Sequence, residues 1–298
     1  EENILFASTG VIGEKLPYEK IIRHFNYLKE NLSTFGLRAA SNAILTTDLK
    51  PKTYTSSFKI NNELFTISGF AKGSGMIFPN MATMLAFIFT DFAIDRETLS
   101  GFTKKAVSES FNRISVDGDT STSDSVFVST TNKKDLKVAI EKRPNTFNIF
   151  YNELKKAMVE LAKKIVMDGE GAKKFVEVTV KNAKSVARAR EICFSIANSL
   201  LVKTAIAGED PNWGRVIMAI GKSDVEINLN KLSLKFGDLN IVSKGKIYNQ
   251  YSEIDAANYM KNSSIDIEVN IGNGNKNFKV YTMDFTKKYI EINSDYRS

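Results

Sequence analysis

One cysteine, one histidine, one tryptophan and five prolines in 298 residues leave several kinds of chemistry without material. A lone Cys193 cannot close an internal disulfide and suits a reducing compartment. It falls in a helical pattern and reads as a packing residue. A lone His24, also in a helical stretch, excludes a histidine-based metal site of ordinary composition and suits a surface or capping role. No apolar run reaches ~18 residues, so no membrane-spanning helix is expected. The opening residues Glu1-Glu2-Asn3-Ile4-Leu5-Phe6 match neither a signal nor a transit peptide. No initiator methionine is present, and the sequence is expected to begin inside a longer protein that lacks its N-terminal portion here. Internal repeats and low-complexity linkers are absent as well.

What is present is the composition of a globular protein, with 43% hydrophobic and 25% charged residues. That length supports one large domain or two ordinary ones. The net charge of +7 is carried by scattered pairs such as Lys104-Lys105, Lys163-Lys164 and Lys173-Lys174. No nucleic-acid reading motif gathers them, so the expected partners are small anionic molecules and neither nucleic acid nor membrane.

Glycine-rich stretches that resemble ligand loops fail in detail. Lys72-Gly73-Ser74-Gly75 lacks the spacing and the trailing Gly-Lys-Ser/Thr of a P-loop. Gly272-Asn273-Gly274 lacks the third glycine and the following helix of a dinucleotide site and reads as a turn. Asp117-Gly118-Asp119-Thr120-Ser121 has neither the sixth-position glycine nor the twelfth-position glutamate of a calcium loop and reads as a polar turn. With no His/Cys cluster and no Gly-x-Ser-x-Gly elbow, metal hydrolysis and the α/β-hydrolase triad drop out.

Periodicity predicts a strand over Ile4–Ala7, a helix over Tyr18–Leu32, and a hairpin joining Phe58–Ile60 to Leu64–Ile67. Met84–Phe89 reads as a strand covered on both faces. Asp95 caps a helix over Arg96–Arg113, and another runs from about Asn148 to Gly169. Phe175–Val180 alternates like a strand and Ser185–Val202 reads as a helix. Beyond Arg215 strands dominate, with a short helix near Ile254–Met260. Strands in runs and helices in runs indicate a layered α+β architecture.

The segment Phe78-Pro79-Asn80-Met81-Ala82-Thr83-Met84-Leu85 sets a threonine after a small residue, between a turn and an apolar run. Cleavage of the Ala82–Thr83 bond would put a hydroxyl nucleophile and a free α-amine on one residue. An α-amine titrates at about 7.7–8.0 against about 10.4 for lysine, so near neutral pH it is the free base roughly several hundred times more often. Taken alone, the same residues also fit the plain start of a buried strand.

Other segments accompany it in fixed order: Ser8-Thr9-Gly10-Val11-Ile12-Gly13-Glu14, Thr46-Thr47-Asp48, Ala71-Lys72-Gly73-Ser74-Gly75-Met76-Ile77, Val116-Asp117-Gly118-Asp119-Thr120-Ser121-Thr122, Asp168-Gly169-Glu170-Gly171-Ala172, and Gly208-Glu209-Asp210-Pro211-Asn212-Trp213-Gly214-Arg215. Together with the Thr83 segment this series closely resembles the bifunctional ornithine acetyltransferase (glutamate N-acetyltransferase) family, from Ser8 to the C-terminal Asn293-Ser294-Asp295-Tyr296-Arg297-Ser298. The resemblance implies a layered sandwich of the ornithine acetyltransferase/DmpA-like type, an autoprocessed enzyme like those with N-terminal nucleophiles. It implies an α-chain of residues 1–82, a β-chain of residues 83–298, and their assembly into an α2β2 heterotetramer in the cytoplasm.

The same resemblance implies that Thr83 attacks the acetyl group of N2-acetyl-L-ornithine and passes it to L-glutamate in a ping-pong cycle of arginine biosynthesis. Thr9 and Gly10 would form the oxyanion hole, where one donor is worth about 2.7–4 kcal/mol. Thr46, Lys72, Thr83, Glu170, Asn293 and Ser298 would contact substrate. Glu209 competes with Glu170 for its role, and Asp210–Arg215 is read as a loop that shapes structure or pocket. No metal or organic cofactor is implied, and acetyl-CoA stays open as a second donor. A chain ending at Ser298 fits the family pattern, whereas the short segment before Ser8 departs from it and is expected to expose a sheet edge. Two alternatives remain: a truncated, non-catalytic homologue, and an N-terminal-nucleophile amidase or aminopeptidase.

Overall fold

A computed structural model describes residues 5–60, 62–78, 84–134 and 145–295. Strands β1 (Lys52–Ile60) and β2 (Glu63–Lys72) form the expected hairpin, paired from Lys52↔Ala71 to Ile60↔Glu63. Asn62 takes the left-handed conformation, φ 67°, that so tight a reversal needs. β2 pairs antiparallel with β3 (Leu85–Phe92), and β3 pairs parallel with β4 (Ser125–Lys134). A parallel neighbour requires a crossover. The β3–β4 connection carries helix α3 (Arg96–Ser108), whose N-cap Asp95 accepts the Thr98 N–H at 2.9 Å.

A second sheet has the order β10-β5-β9-β6-β7-β8, with β5 (Phe175–Ala183), β6 (Ser233–Phe236), β7 (Leu239–Ser243), β8 (Lys246–Ile247), β9 (Ser264–Asn270) and β10 (Lys276–Met283). Only its β5–β9 pair is parallel. α4 (Asn145–Met167) covers β1 and β2, while α5 (Val186–Ala197) covers β5 and β10 and carries α7 (Trp213–Lys222) on its other side. Each sheet has its own apolar core, and the two meet along β10. There Ser115 donates its N–H to Tyr281 O at 2.9 Å, and Tyr281 and Met283 belong to the first core.

The layered α+β class holds, with local corrections. Leu5–Ala7 is not a strand, since its apolar side chains find no sheet edge and Phe6 is 81% exposed. β3 is fully covered on one face, where Ala86, Ile88, Thr90 and Phe92 are buried, and only in part on the other, where Leu85 is buried but Phe89 is 41% exposed. The helix after Asp95 stops at Ser108 and resumes as one 3-10 turn at Phe111–Arg113.

Ser185–Val202 divides into α5 and α6 (Leu200–Ala207), because Ser199 turns out to cap a new helix, accepting the Val202 N–H at 3.4 Å. Beyond Arg215 the chain first completes α7, which the strand reading missed. α8 (Glu253–Met260) follows as expected, and the C-terminal segment forms α9 (Lys287–Asp295). α1 (Tyr18–Glu30) forms as predicted yet buries none of its residues, and α2 (Gly36–Ala43) follows it.

Candidate active site

The two ends of the β2–β3 pairing decide where the chemistry sits. Lys72, the last residue of β2, is in register with Leu85, the first of β3. That pairing sets the lysine beside the chain just after position 83. Thr83 itself, Ala82 and Ser298 lie outside the described residues.

Lys72 is 2% exposed and donates to Thr46 Oγ1 at 2.9 Å. Burial lowers its pKa and Lys52 adds to that, while Asp48 and Glu170 favour the charged form. Thr46 reaches this point because the loop after α2 is tied down from below. Asp48 Oδ2 accepts the Thr46 N–H at 3.2 Å and its Oδ1 accepts the Gly73 N–H at 2.7 Å. Burial opposes ionisation of Asp48, but Gly73 and Lys52 outweigh it and hold its carboxyl below the usual value. Lys52 pairs with Asp48 and, at 2.5 Å, with Asp168, whose Oδ2 also takes the Leu49 N–H at 3.0 Å.

Asp168 begins the turn after α4 and brings Glu170 with it. The Glu170 N–H donates to Ser74 O at 2.8 Å, and its side chain accepts from Asn293 Nδ2 at 2.7 Å. Gly75 leaves room for this carboxylate: a Cβ at that position would lie 2.5–2.7 Å from it and displace it. The next turn is pinned by Asp117, which accepts the Met76 N–H at 2.6 Å and the Ile77 N–H at 3.0 Å. Burial nonetheless raises the pKa of Asp117. Tyr289 of α9 donates to Asp117 at 3.3 Å, one turn before Asn293 on the same helix.

These ties converge on one cavity of about 180 Å³. Its lining includes Thr9, Gly10, Thr46, Lys72, Glu170 and Asn293, every described site residue that the sequence singled out. Ser121, Thr122 and Ser123 close another side. Glu209 is not part of this lining; it pairs with Lys174 at 3.1 Å on the connection after α6. Cavities that bury drug-sized ligands run to about 300–1,000 Å³, so this one suits a smaller molecule. A cation and an anion in the same small enclosure match a zwitterion. No cluster of three or more His, Cys, Asp or Glu positioned for a metal exists among the described residues, and no helix there is long and apolar enough to cross a membrane.

Sequence reasoning missed the buried Lys52–Asp48–Asp168 cluster. A signal was available for Lys52: Phe58 and Ile60 mark the inward face of β1, and a period of two puts position 52 on that face. Nothing local marked Tyr289, whose contact spans 172 positions. Cys193 meets its expectation as a packing residue in α5, with burial pushing its thiol up to about 12. His24 is exposed on α1 and contacts Lys20 O at 2.8 Å.

Comparison with known proteins shows the family. The ArgJ family model matches residues 1–298. The arginine biosynthesis bifunctional protein ArgJ of Bartonella henselae is 43% identical over 298 residues, covering 100% of this chain and 73% of that protein. The protein of the same name from Ruegeria pomeroyi is 44% identical, covering 99% of this chain and 71% of its own length. The crystal structure of arginine biosynthesis bifunctional protein ArgJ from Bacillus halodurans superposes with a TM-score of 0.67 at 39% identity, over 72% of this chain and 100% of that one. The chain belongs to the ArgJ family.

Proposed function

We propose that this chain is an ornithine acetyltransferase of arginine biosynthesis, moving an acetyl group from N2-acetyl-L-ornithine to L-glutamate through an acetyl ester on Thr83. The observation that carries the proposal is the convergence of Thr9-Gly10, Thr46, Lys72, Glu170 and Asn293, from separate parts of the chain, on one cavity that ends at the β2–β3 register next to position 83. In this reading the Thr83 hydroxyl attacks the acetyl carbonyl and its proton passes to the α-amine. The Thr9 hydroxyl and the Gly10 N–H receive the charge that develops on the carbonyl oxygen.

Lys72 holds the α-carboxylate that both substrates carry. Glu170, oriented by Asn293, faces an amine. Ser298 completes the substrate contacts. Ornithine leaves, glutamate enters the same enclosure, and its amine takes the acetyl group. One site thus serves both halves of the cycle.

Cleavage after Ala82 creates the α-amine, giving chains of residues 1–82 and 83–298 that stay associated as an α2β2 assembly. The reaction as written uses no metal and no organic cofactor, admits acetyl-CoA as a second donor, and belongs in the cytoplasm.

Denaturing mass spectrometry of the purified protein tests the break, and an assay with acetylornithine and glutamate, run beside acetyl-CoA and glutamate, tests the transfer. Thr83→Ala is expected to give one intact 33.3 kDa species and no transfer. Turnover retained in that variant overturns the assignment, and release of acetate without glutamate would mark an amidase instead.

A further inference from the structure

Asp124 follows the three cavity-lining residues Ser121, Thr122 and Ser123 and is hydrogen-bonded to Met84, one residue after position 83. Its Oδ1 accepts the Met84 N–H at 2.7 Å, while the Met84 carbonyl accepts the Ser125 N–H at 3.0 Å. Both backbone groups of the residue after the nucleophile are therefore clamped from one short segment. The other oxygen of Asp124, Oδ2, is buried and has no hydrogen-bond partner among the described residues. Buried polar atoms are satisfied in the great majority of cases, and one that is not calls for a reason.

Residue 83 is joined to Met84 by a single peptide bond. Bond lengths and angles keep its α-nitrogen within about 3.7 Å of the Met84 nitrogen that Asp124 already holds. We propose that Asp124 is a positioning residue that fixes Met84 with one carboxylate oxygen and presents the other to the α-nitrogen of Thr83, making it the third member of a threonine–amine–carboxylate array. The proposal rests on the reading of Thr83 as the liberated nucleophile.

In the transfer step the Thr83 O–H bond breaks, the new Oγ–acetyl bond forms, and the proton moves to the α-amine, which becomes an ammonium. Asp124 accepts a hydrogen bond from that ammonium without taking its proton, as the carboxylate of a hydrolase triad does for its base. The proton then goes to the departing ornithine nitrogen as its bond to the acetyl carbon breaks. Burial pushes the Asp124 carboxyl up to about 7, and the Met84 N–H offsets this only in part. No charged side chain of a described residue contributes to that shift, and the charged groups on the cavity wall are Lys72 and Glu170. A buried carboxylate in that condition gains from a cation brought beside it.

Asp124→Asn keeps the shape and the Met84 contact and removes the charge. In the processed variant kcat is expected to fall by about 10²–10⁴-fold. The limb of the pH profile that rises as the amine loses its proton is expected to move down by about one pH unit, because an adjacent carboxylate raises the amine's pKa. A natively folded variant that is not processed also supports the role. Unchanged kcat with an unmoved limb overturns it, as does a slower enzyme whose limb stays in place while its melting temperature drops.

If the variant does not fold, competitive acylation of the wild-type N-terminus against pH gives the Thr83 amine directly. A pKa above the ordinary 7.7–8.0 supports the pairing and a value at or below it refutes the pairing. Wild-type protein that is never cut before Thr83 fails the underlying reading, a result that these measurements keep separate.

Discussion

β5 and β9 lie side by side in parallel with Val176 opposite Ile265, Val178 opposite Ile267 and Val180 opposite Val269, all buried. The first sheet has an apolar core of the same kind under α4, but the wall that borders the cavity buries Lys52, Lys72, Asp48, Asp168 and Glu170. Burying a charge costs free energy unless it is paired and hydrogen-bonded. Each of those five has a hydrogen-bond partner, and the partners are what align Thr46, Gly73 and Glu170 around the enclosure. One region therefore spends its residues on apolar burial and the other on geometry.

The contrast predicts different failures. Lys52→Met removes the cation shared by Asp48 and Asp168 and leaves two buried carboxylates uncompensated. We expect a loss of about 3–5 kcal/mol, read from the urea midpoint, together with a raised KM as the Thr46–Gly73 wall loosens. A loss below about 1 kcal/mol, the level of an exposed ion pair, would break the comparison. Gly75→Ala acts on function with less effect on stability. Its new methyl would displace the Glu170 carboxylate, and steady-state kinetics should show KM for acetylornithine rising about tenfold or more, equivalent to about 1.4 kcal/mol, with a melting temperature near the parent's. Ile267→Val in the second sheet is the smallest change, costing about 0.5–1.5 kcal/mol in the midpoint while both kinetic constants stay put.

The elements that could be read from the chain were those whose reason is local. Alternation gave the β1–β2 hairpin and β5, an acceptor side chain gave the start of α3, and helical spacing gave α4 and α8. Errors fell where a distant partner decides. Ile4–Ala7 is an apolar run that reads as a strand, yet its described part, Leu5–Ala7, meets no sheet, and β3 reads as buried on both faces from its apolar run although Phe89 on the outer face is 41% exposed. Ser199 was hidden as a cap inside an apolar run that reads as one helix. At the site, Thr9, Gly10, Thr46, Lys72, Glu170 and Asn293 were legible as motif members. Lys52 and Tyr289 were not, because a lysine in a strand and a tyrosine near the terminus carry no sign of the buried carboxylates they meet.

By itself the sequence determined the family, the lack of residues in these 298 positions for an internal disulfide or a histidine-based metal site, and the threonine on which catalysis is proposed to turn, since each of these is a matter of which residues exist and in what order. The tertiary structure alone put Glu170 and not Glu209 in the cavity lining, joined Asp48 to Asp168 through Lys52, and left one oxygen of Asp124 without a partner among the described residues. Those outcomes depend on separations of 35 to 123 positions being closed to hydrogen-bond length, and such closure is fixed only when both sheets and the helices that cover them have packed.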